Sequence, residues 1–169
     1  AASKRQPKLY CAPGNAGIAQ LAECVPLKAE DIAGLVKWCK DRKPNLVVVG
    51  PEVPLCMGLA DELIREGFQV FGPTKDGAQM EGSKDFTKQL LLENGVPTAK
   101  GATFTDLQAA LAYVRKEGAP IVIKADGLAA GKGVTVWETL AQAEAALGQA
   151  MGQKVFGDGG NKVVIEECL

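Results

Sequence analysis

The stretch Ile121-Val122-Ile123-Lys124-Ala125-Asp126-Gly127-Leu128-Ala129-Ala130-Gly131-Lys132-Gly133-Val134 places two lysines around a glycine-rich segment. Its first half alternates as a strand does, with Ile121, Ile123 and Ala125 on one face and Val122, Lys124 and Asp126 on the other. An ammonium inside an apolar strand costs several kcal/mol unless water or a fixed anion meets it, so Lys124 requires a partner. The segment that follows offers glycine N–H groups and a second cation, Lys132, before another strand begins at Val134-Thr135-Val136-Trp137. Backbone N–H groups with lysines suit a chain of phosphates. The spacing therefore predicts a polyphosphate site on a strand–loop–strand hairpin; the bland alternative is a glycine-rich hairpin with solvated lysines. It is not a Walker A loop. One residue too few separates Gly127 from Gly131-Lys132, and Gly133 stands where a hydroxyl residue would bind magnesium. Nor is it a GxGxxG dinucleotide fingerprint.

Composition narrows the chemistry further. The 169 residues contain no histidine, which excludes a histidine base, triad or metal ligand within them. Five cysteines, Cys11, Cys24, Cys39, Cys56 and Cys168, form no C-x-x-C pair and fit free thiols in a reducing cytoplasm better than a disulfide framework or a zinc site. A formal net charge of −1 gives no basic field for nucleic acid or a membrane surface. No run of about 18 apolar residues suggests a membrane-spanning helix.

The elements that must hold the hairpin read as α/β. Lys8 to Ala12 is expected as a strand followed by the tight loop Pro13-Gly14-Asn15-Ala16-Gly17, and Val25-Pro26-Leu27 as a brief edge strand. Ile32, Leu35, Val36 and Cys39 recur at helical spacing in a helix ended by Pro44. Leu46-Val47-Val48-Val49 reads as a parallel strand covered on both faces, delivering Gly50-Pro51-Glu52 in a ligand-facing loop. Leu59, Ala60, Leu63 and Ile64 predict a second helix stopped at Gly67, and Gln69 to Phe71 another strand. This alternation predicts one doubly wound unit to roughly Met80, with a boundary near Gly82. Beyond it, Ser83 caps a helix with Phe86, Leu90 and Leu91 inward. Thr105 and Thr139 open capping boxes, and Val163-Val164-Ile165 forms a last strand. The absence of a starting methionine and the stop at Leu169, directly after a strand, predict a fragment.

Taken in order, Ala12-Pro13-Gly14-Asn15-Ala16-Gly17, Val48-Val49-Gly50-Pro51-Glu52, Phe71-Gly72-Pro73-Thr74, Glu81-Gly82-Ser83-Lys84, the Ile121–Val134 stretch and Val164-Ile165-Glu166-Glu167 resemble the amino-terminal part of the glycinamide ribonucleotide synthetase (phosphoribosylamine–glycine ligase) family, within the ATP-grasp superfamily. The resemblance covers the chain from about Lys8 onward. It implies an incomplete doubly wound parallel-sheet domain over 1–82, carrying substrate loops, and the first part of an ATP-grasp domain over 83–169, an α+β lid subdomain.

The resemblance also implies roles. Lys124 would contact ATP phosphates, the hairpin from Gly127 through Leu128, Ala129, Ala130, Gly131, Lys132 and Gly133 to Val134 would fold over them, and Lys84 would reach the nucleotide from its helix. Glu166, Glu167, Cys168 and Leu169 would hold adenine and ribose. Pro13, Gly14, Asn15, Gly50, Pro51 and Glu52 would belong to the face for phosphoribosylamine and glycine. The implied activity is ATP-dependent ligation of glycine to phosphoribosylamine in purine synthesis, with magnesium held by later residues outside this chain. The family's opening strand and phosphate loop do not precede Lys8, so the first sheet is expected to lack a central strand and the chain to be inactive alone. Another ATP-grasp carboxylate–amine ligase, or a non-catalytic nucleotide-binding module, are the alternatives. Oligomeric state and individual catalytic residues are not indicated.

Overall fold

The computed structural model describes residues 7–128, 134–152 and 162–169, and divides the chain into two compact units, Ala1–Ala78 and Gln79–Leu169. Ala129 to Gly133 of the hairpin and the turn-rich connection Phe156 to Asn161 lie outside the described residues.

In the first unit, β1 (Tyr10–Cys11) pairs in parallel with β2 (Glu23–Cys24), matching Tyr10 to Glu23 and Cys11 to Cys24. The strand expected at Val25–Leu27 therefore lies two residues earlier. The Val25 N–H still reaches the Cys11 carbonyl at 2.8 Å, but Pro26 has no N–H to continue the ladder. Helix α1 (Ile32–Arg42) starts where the Asp31 carboxylate accepts from the Gly34 N–H at 2.9 Å. It stops at Lys43, whose φ of 50° is left-handed; Pro44 disfavours helical backbone there, so the helix ends one residue before the proline itself would break it. A second parallel ladder pairs β3 (Val47–Val48) with β4 (Val70–Phe71). Between them lie α2 (Glu52–Cys56) and α3 (Leu59–Arg65), and α4 (Lys75–Gly82) follows.

Cys39, Val49, Leu55, Leu59, Ala60, Leu63 and Ala78 make this unit's core, with Ile32, Leu35 and Val36 packed against it. Helical spacing had marked most of the contributors, although Ile64 is about half exposed. The expectation of a strand covered on both faces fails. Leu46, Val48 and Phe71 are 55, 63 and 70% exposed, so only the opposite face is packed. Among the described residues the two ladders are not hydrogen-bonded to each other, so the doubly wound sheet is present as two parallel pairs.

The second unit is built on a four-stranded sheet in the order β5-β8-β6-β7, with β5 (Gly101–Phe104), β6 (Ile121–Ala125), β7 (Val134–Trp137) and β8 (Val163–Glu167), antiparallel throughout. Helix α5 (Lys84–Glu93) precedes it, α6 (Leu107–Glu117) joins β5 to β6, and α7 (Leu140–Leu147) follows β7 and continues through a wider turn at Gly148–Gly152. Ser83 and Thr139 cap α5 and α7 as expected, accepting from Phe86 N–H at 3.1 Å and Gln142 N–H at 3.3 Å. On α6 the cap is Asp106, one residue after the expected Thr105, accepting from Ala109 N–H at 2.8 Å.

The strand alternation in β6 holds: Ile121, Ile123 and Ala125 are buried. Ile121, Ile123, Val163 and Ile165 meet Ala110, Val114, Ala143 and Leu147 of α6 and α7 in one apolar core. The other face of the sheet, which carries Lys124 and Glu166, meets α5. There the expectation of Phe86 inward is corrected: Phe86 is 41% exposed, and the buried residue of α5 is Lys88.

Ile165 is fully buried between the helices and the sheet. Ile165→Ala should lower the unfolding free energy by about 2–5 kcal/mol, against under about 1 kcal/mol for exposed Phe86→Ala, as read from urea denaturation midpoints.

Candidate functional site

Alternation places Lys124 of β6 and Glu166 of β8 on the same face of the sheet, the face opposite the apolar core. The Glu166 carboxylate is shared: Oε2 accepts from Lys124 Nζ and Oε1 from Lys88 Nζ, the latter at 2.8 Å. Lys88 Nζ also donates to the Ala99 carbonyl. Lys88 and Glu166 are almost wholly buried, whereas the Lys124 side chain keeps 29% of its surface. The fixed anion that Lys124 requires is thus Glu166, and the cluster carries two positive charges against one negative. Burial pushes the Glu166 carboxyl up, but hydrogen bonds from Lys124 and Lys88 outweigh it and hold it below the usual carboxylate range.

Gly101 of β5 lies opposite Glu166 in the ladder. A Cβ there would run into the Ile165 carbonyl oxygen and stand 2.9 Å from Glu166 Cα, so only glycine lets β5 lie this close to the backbone of β8.

A second polar group sits at the start of α5. Asp126, just past β6, accepts from the Lys84 N–H at 2.7 Å, the Asp85 N–H at 3.2 Å and Ser83 Oγ at 3.1 Å, with Lys162 Nζ at 3.2 Å. Burial works against its charge, yet the N–H of Asp85, Lys162 and Ser83 prevail and keep its carboxyl low. Asp85 accepts from Lys162 at 2.8 Å and Thr103 Oγ1 at 2.7 Å, which lowers its carboxyl too.

The structure pairs Lys124 with Glu166 and Lys84 with Gly127. Lys84 Nζ donates to the Gly127 carbonyl at 2.8 Å, at the foot of the hairpin. Gly127 has φ of 87°, a left-handed turn that favours glycine. Val134 faces Lys124 across the β6–β7 ladder, so β6 and β7 are the two arms of the expected hairpin, with Leu128 exposed; Ala129, Ala130, Gly131, Lys132 and Gly133, expected over the phosphates, lie outside the described residues. Glu167 accepts from the Lys100 N–H at 2.8 Å and closes the β5–β8 ladder, while Cys168 and Leu169 are exposed.

The residues expected to face the substrates lie in the first unit. Pro13, Gly14 and Asn15 follow β1; Asn15 Oδ1 accepts from the Ile18 N–H at 2.9 Å, at the start of a short turn at Ile18–Gln20. Gly14 has φ of 77°. Gly50, Pro51 and Glu52 follow β3, but Glu52 is not in a loop: Pro51 is the cap of α2 and Glu52 its first residue, where a carboxylate suits the helix N-terminus. Lys88, Asp85, Asp126 and Lys162 were not singled out from the sequence. The available signal for Lys88 was its i, i+4 spacing from Lys84, which sets both lysines on one face of α5.

This sheet, its hairpin and its paired lysines define the start of an ATP-grasp domain. A model of "Phosphoribosylglycinamide synthetase, ATP-grasp (A) domain" matches residues 82–169, and one of "Phosphoribosylglycinamide synthetase, N domain" matches residues 1–81. The chain belongs to the phosphoribosylglycinamide synthetase family. It is 53% identical to a phosphoribosylamine–glycine ligase of Vibrio vulnificus over 95% of this chain and 38% of that protein. To the ligase of Xanthomonas campestris it is 51% identical, over 100% of this chain and 40% of that protein. A crystal structure of the Thermotoga maritima phosphoribosylamine–glycine ligase superposes with a TM-score of 0.71 at 30% identity, covering 96% of this chain and 38% of that one. A biotin carboxylase from Campylobacter jejuni shares the fold, with a TM-score of 0.75 at 17% identity over 95% of this chain and 39% of its own. The chain thus spans about two fifths of the length of the curated relatives it matches.

Because Glu166, Asp85 and Asp126 have lowered carboxyl values, the stability they give is full above the ordinary carboxylate range and is lost as pH falls through their folded values. Acid unfolding should therefore steepen below about pH 4, and Glu166→Gln should flatten that part of the stability–pH curve.

Proposed function

We propose that this chain supplies the phosphate-holding floor and one substrate face of a phosphoribosylamine–glycine ligase, which joins glycine to phosphoribosylamine at the expense of ATP in purine synthesis. The observation that carries the reading is Lys124, held on the buried carboxylate of Glu166 with 29% of its side chain still exposed, while Lys88 braces that carboxylate from within. Glu166 holds both ammonium groups on the same side of the sheet without cancelling their charge. An arriving polyphosphate finds the Lys124 ammonium already oriented, and little reorganisation accompanies binding.

The reaction runs in two displacements. The glycine carboxylate attacks the γ-phosphorus of ATP, forming glycyl phosphate and releasing ADP; the amine of phosphoribosylamine then attacks the glycyl carbonyl, and inorganic phosphate leaves. Transferring phosphoryl groups needs positioning and charge neutralisation above all, to which Lys124 contributes from the sheet, braced through Glu166 by Lys88 of α5. Gly127 to Val134 covers the phosphates and keeps water from the acyl phosphate. Lys84 serves from the foot of that hairpin, and the backbone of Glu167, Cys168 and Leu169 lines the adenine side. Pro13, Gly14, Asn15, Gly50, Pro51 and Glu52 face the ribosyl and glycine substrates from the carboxyl ends of β1 and β3, the ends at which parallel sheets take ligands.

Magnesium does not fit the residues described. Among them no group of three or more Asp, Glu, Cys or His side chains could hold a metal, and Asp85, Asp126 and Glu166 are each taken up by ammonium or N–H donors. A cytoplasmic setting agrees with the free thiols, and among the described residues no helix is long and apolar enough to cross a membrane.

Lys124→Ala, measured by calorimetric titration with ATP in the protein at its natural length, should weaken binding at least about tenfold while leaving the fold intact, because one charge-assisted contact is lost. Unchanged ATP affinity would sink the reading. ATP binding without glycine-dependent ADP release would favour a nucleotide-binding module instead.

A further inference from the structure

We propose that Asp126 is a positioning residue: its carboxylate ties the first turn of α5 to the end of β6 and so sets the spacing at which Lys88 and Lys124 face Glu166. This rests on the reading of Lys124 as a phosphate contact. Asp126 lies two residues beyond Lys124 on the same face of the strand, and Lys84 lies one helical turn before Lys88 on α5. The same strand and helix are therefore linked twice. One link runs from Asp126 to the N–H groups of Lys84 and Asp85, and the other from Lys124 through Glu166 to Lys88. A return bond from Lys84 Nζ to the Gly127 carbonyl at 2.8 Å closes the first link into a ring. Without it, the first turn of α5 would keep only the ties that Asp85 makes to Lys162 and Thr103.

The chemistry of Asp126 fits this task and no ligand role. Its two oxygens meet Ser83 Oγ, two backbone N–H groups and Lys162 Nζ, all of them donors. Ser83 Oγ accepts from Phe86 N–H, which leaves its own proton for Asp126. A carboxylate is acceptor-only and can serve every one of these groups, whereas an amide would turn an NH2 against some of them. Asp126 is also 8% exposed, which leaves no room for a phosphate or metal to reach it. Lys162 extends the tie to Asp85, and Thr103 of β5 holds the other Asp85 oxygen, so three neighbouring segments fix the same helical turn.

The test compares Asp126→Asn, Leu147→Ala and Lys124→Ala with the wild type in the protein at its natural length. Calorimetric titration with ATP and steady-state kinetics are taken at a temperature where circular dichroism shows every variant folded. Leu147 is buried in α7 against the apolar face and controls for lost stability alone. Asp126→Asn should weaken ATP binding and raise the KM for ATP by at least about tenfold, since small misplacements of binding groups cost that much or more. The KM for glycine should stay unchanged. Leu147→Ala should lower the melting temperature and leave ATP affinity as it was. Wild-type ATP affinity in Asp126→Asn, or an equal loss in Leu147→Ala, would overturn the positioning role while a weakened Lys124→Ala left the phosphate site standing. A folded wild type that binds no ATP would overturn both.

Discussion

Two ammonium groups share the carboxylate of Glu166 at a place that water scarcely reaches, and the second unit is arranged so that this can happen. Burying one charge without a partner costs several kcal/mol, and removing one member of a buried pair costs about 3–5 kcal/mol. Three elements must therefore keep their places: β8 to present Glu166, β6 to present Lys124 and α5 to present Lys88. Gly101 removes the side chain that would keep β5 off the backbone of β8, and the apolar core on the opposite face anchors both strands. The energy that holds the cluster comes from Ile121, Ile123, Val163 and Ile165; the cluster itself supplies direction.

Much of this could be read from the residues. The alternation in Ile121–Ala125 marked a half-buried strand, and a lysine inside it signalled that an anion had to exist somewhere. The identity of that anion could not be read, because Glu166 lies more than forty residues further on and meets Lys124 only once β8 pairs with β6. Lys88 stayed hidden for a related reason. Helical spacing assigned the inward face of α5 to Phe86, Leu90 and Leu91, and a local pattern cannot foresee that a charged side chain will be turned inward by a tertiary partner. Asp126 lay inside the motif, yet its donors come from α5 and from Lys162, both remote in sequence.

The first unit shows the complementary limit. Helix α1 and its apolar stripe were legible because the period is long enough to average over. Strands two residues long carry too little pattern, so β2 was displaced by two residues and the exposure of Leu46 and Val48 was missed. Glu52 read as a loop residue because Pro51 suggested a turn; proline just outside a first turn marks a helix start equally well. β5 and α4 left no comparable trace, one being a short strand opened by glycine and the other a glycine-flanked polar helix.

The central claim is that Lys88, by bracing Glu166, presents Lys124 to phosphate. The most direct measurement is a double-mutant cycle on ATP affinity with Lys88→Ala, Lys124→Ala and the double variant. Groups that share a partner should couple, so the two losses are predicted to be non-additive by at least about 0.5 kcal/mol. Losses that simply add would show two independent lysines and contradict the account.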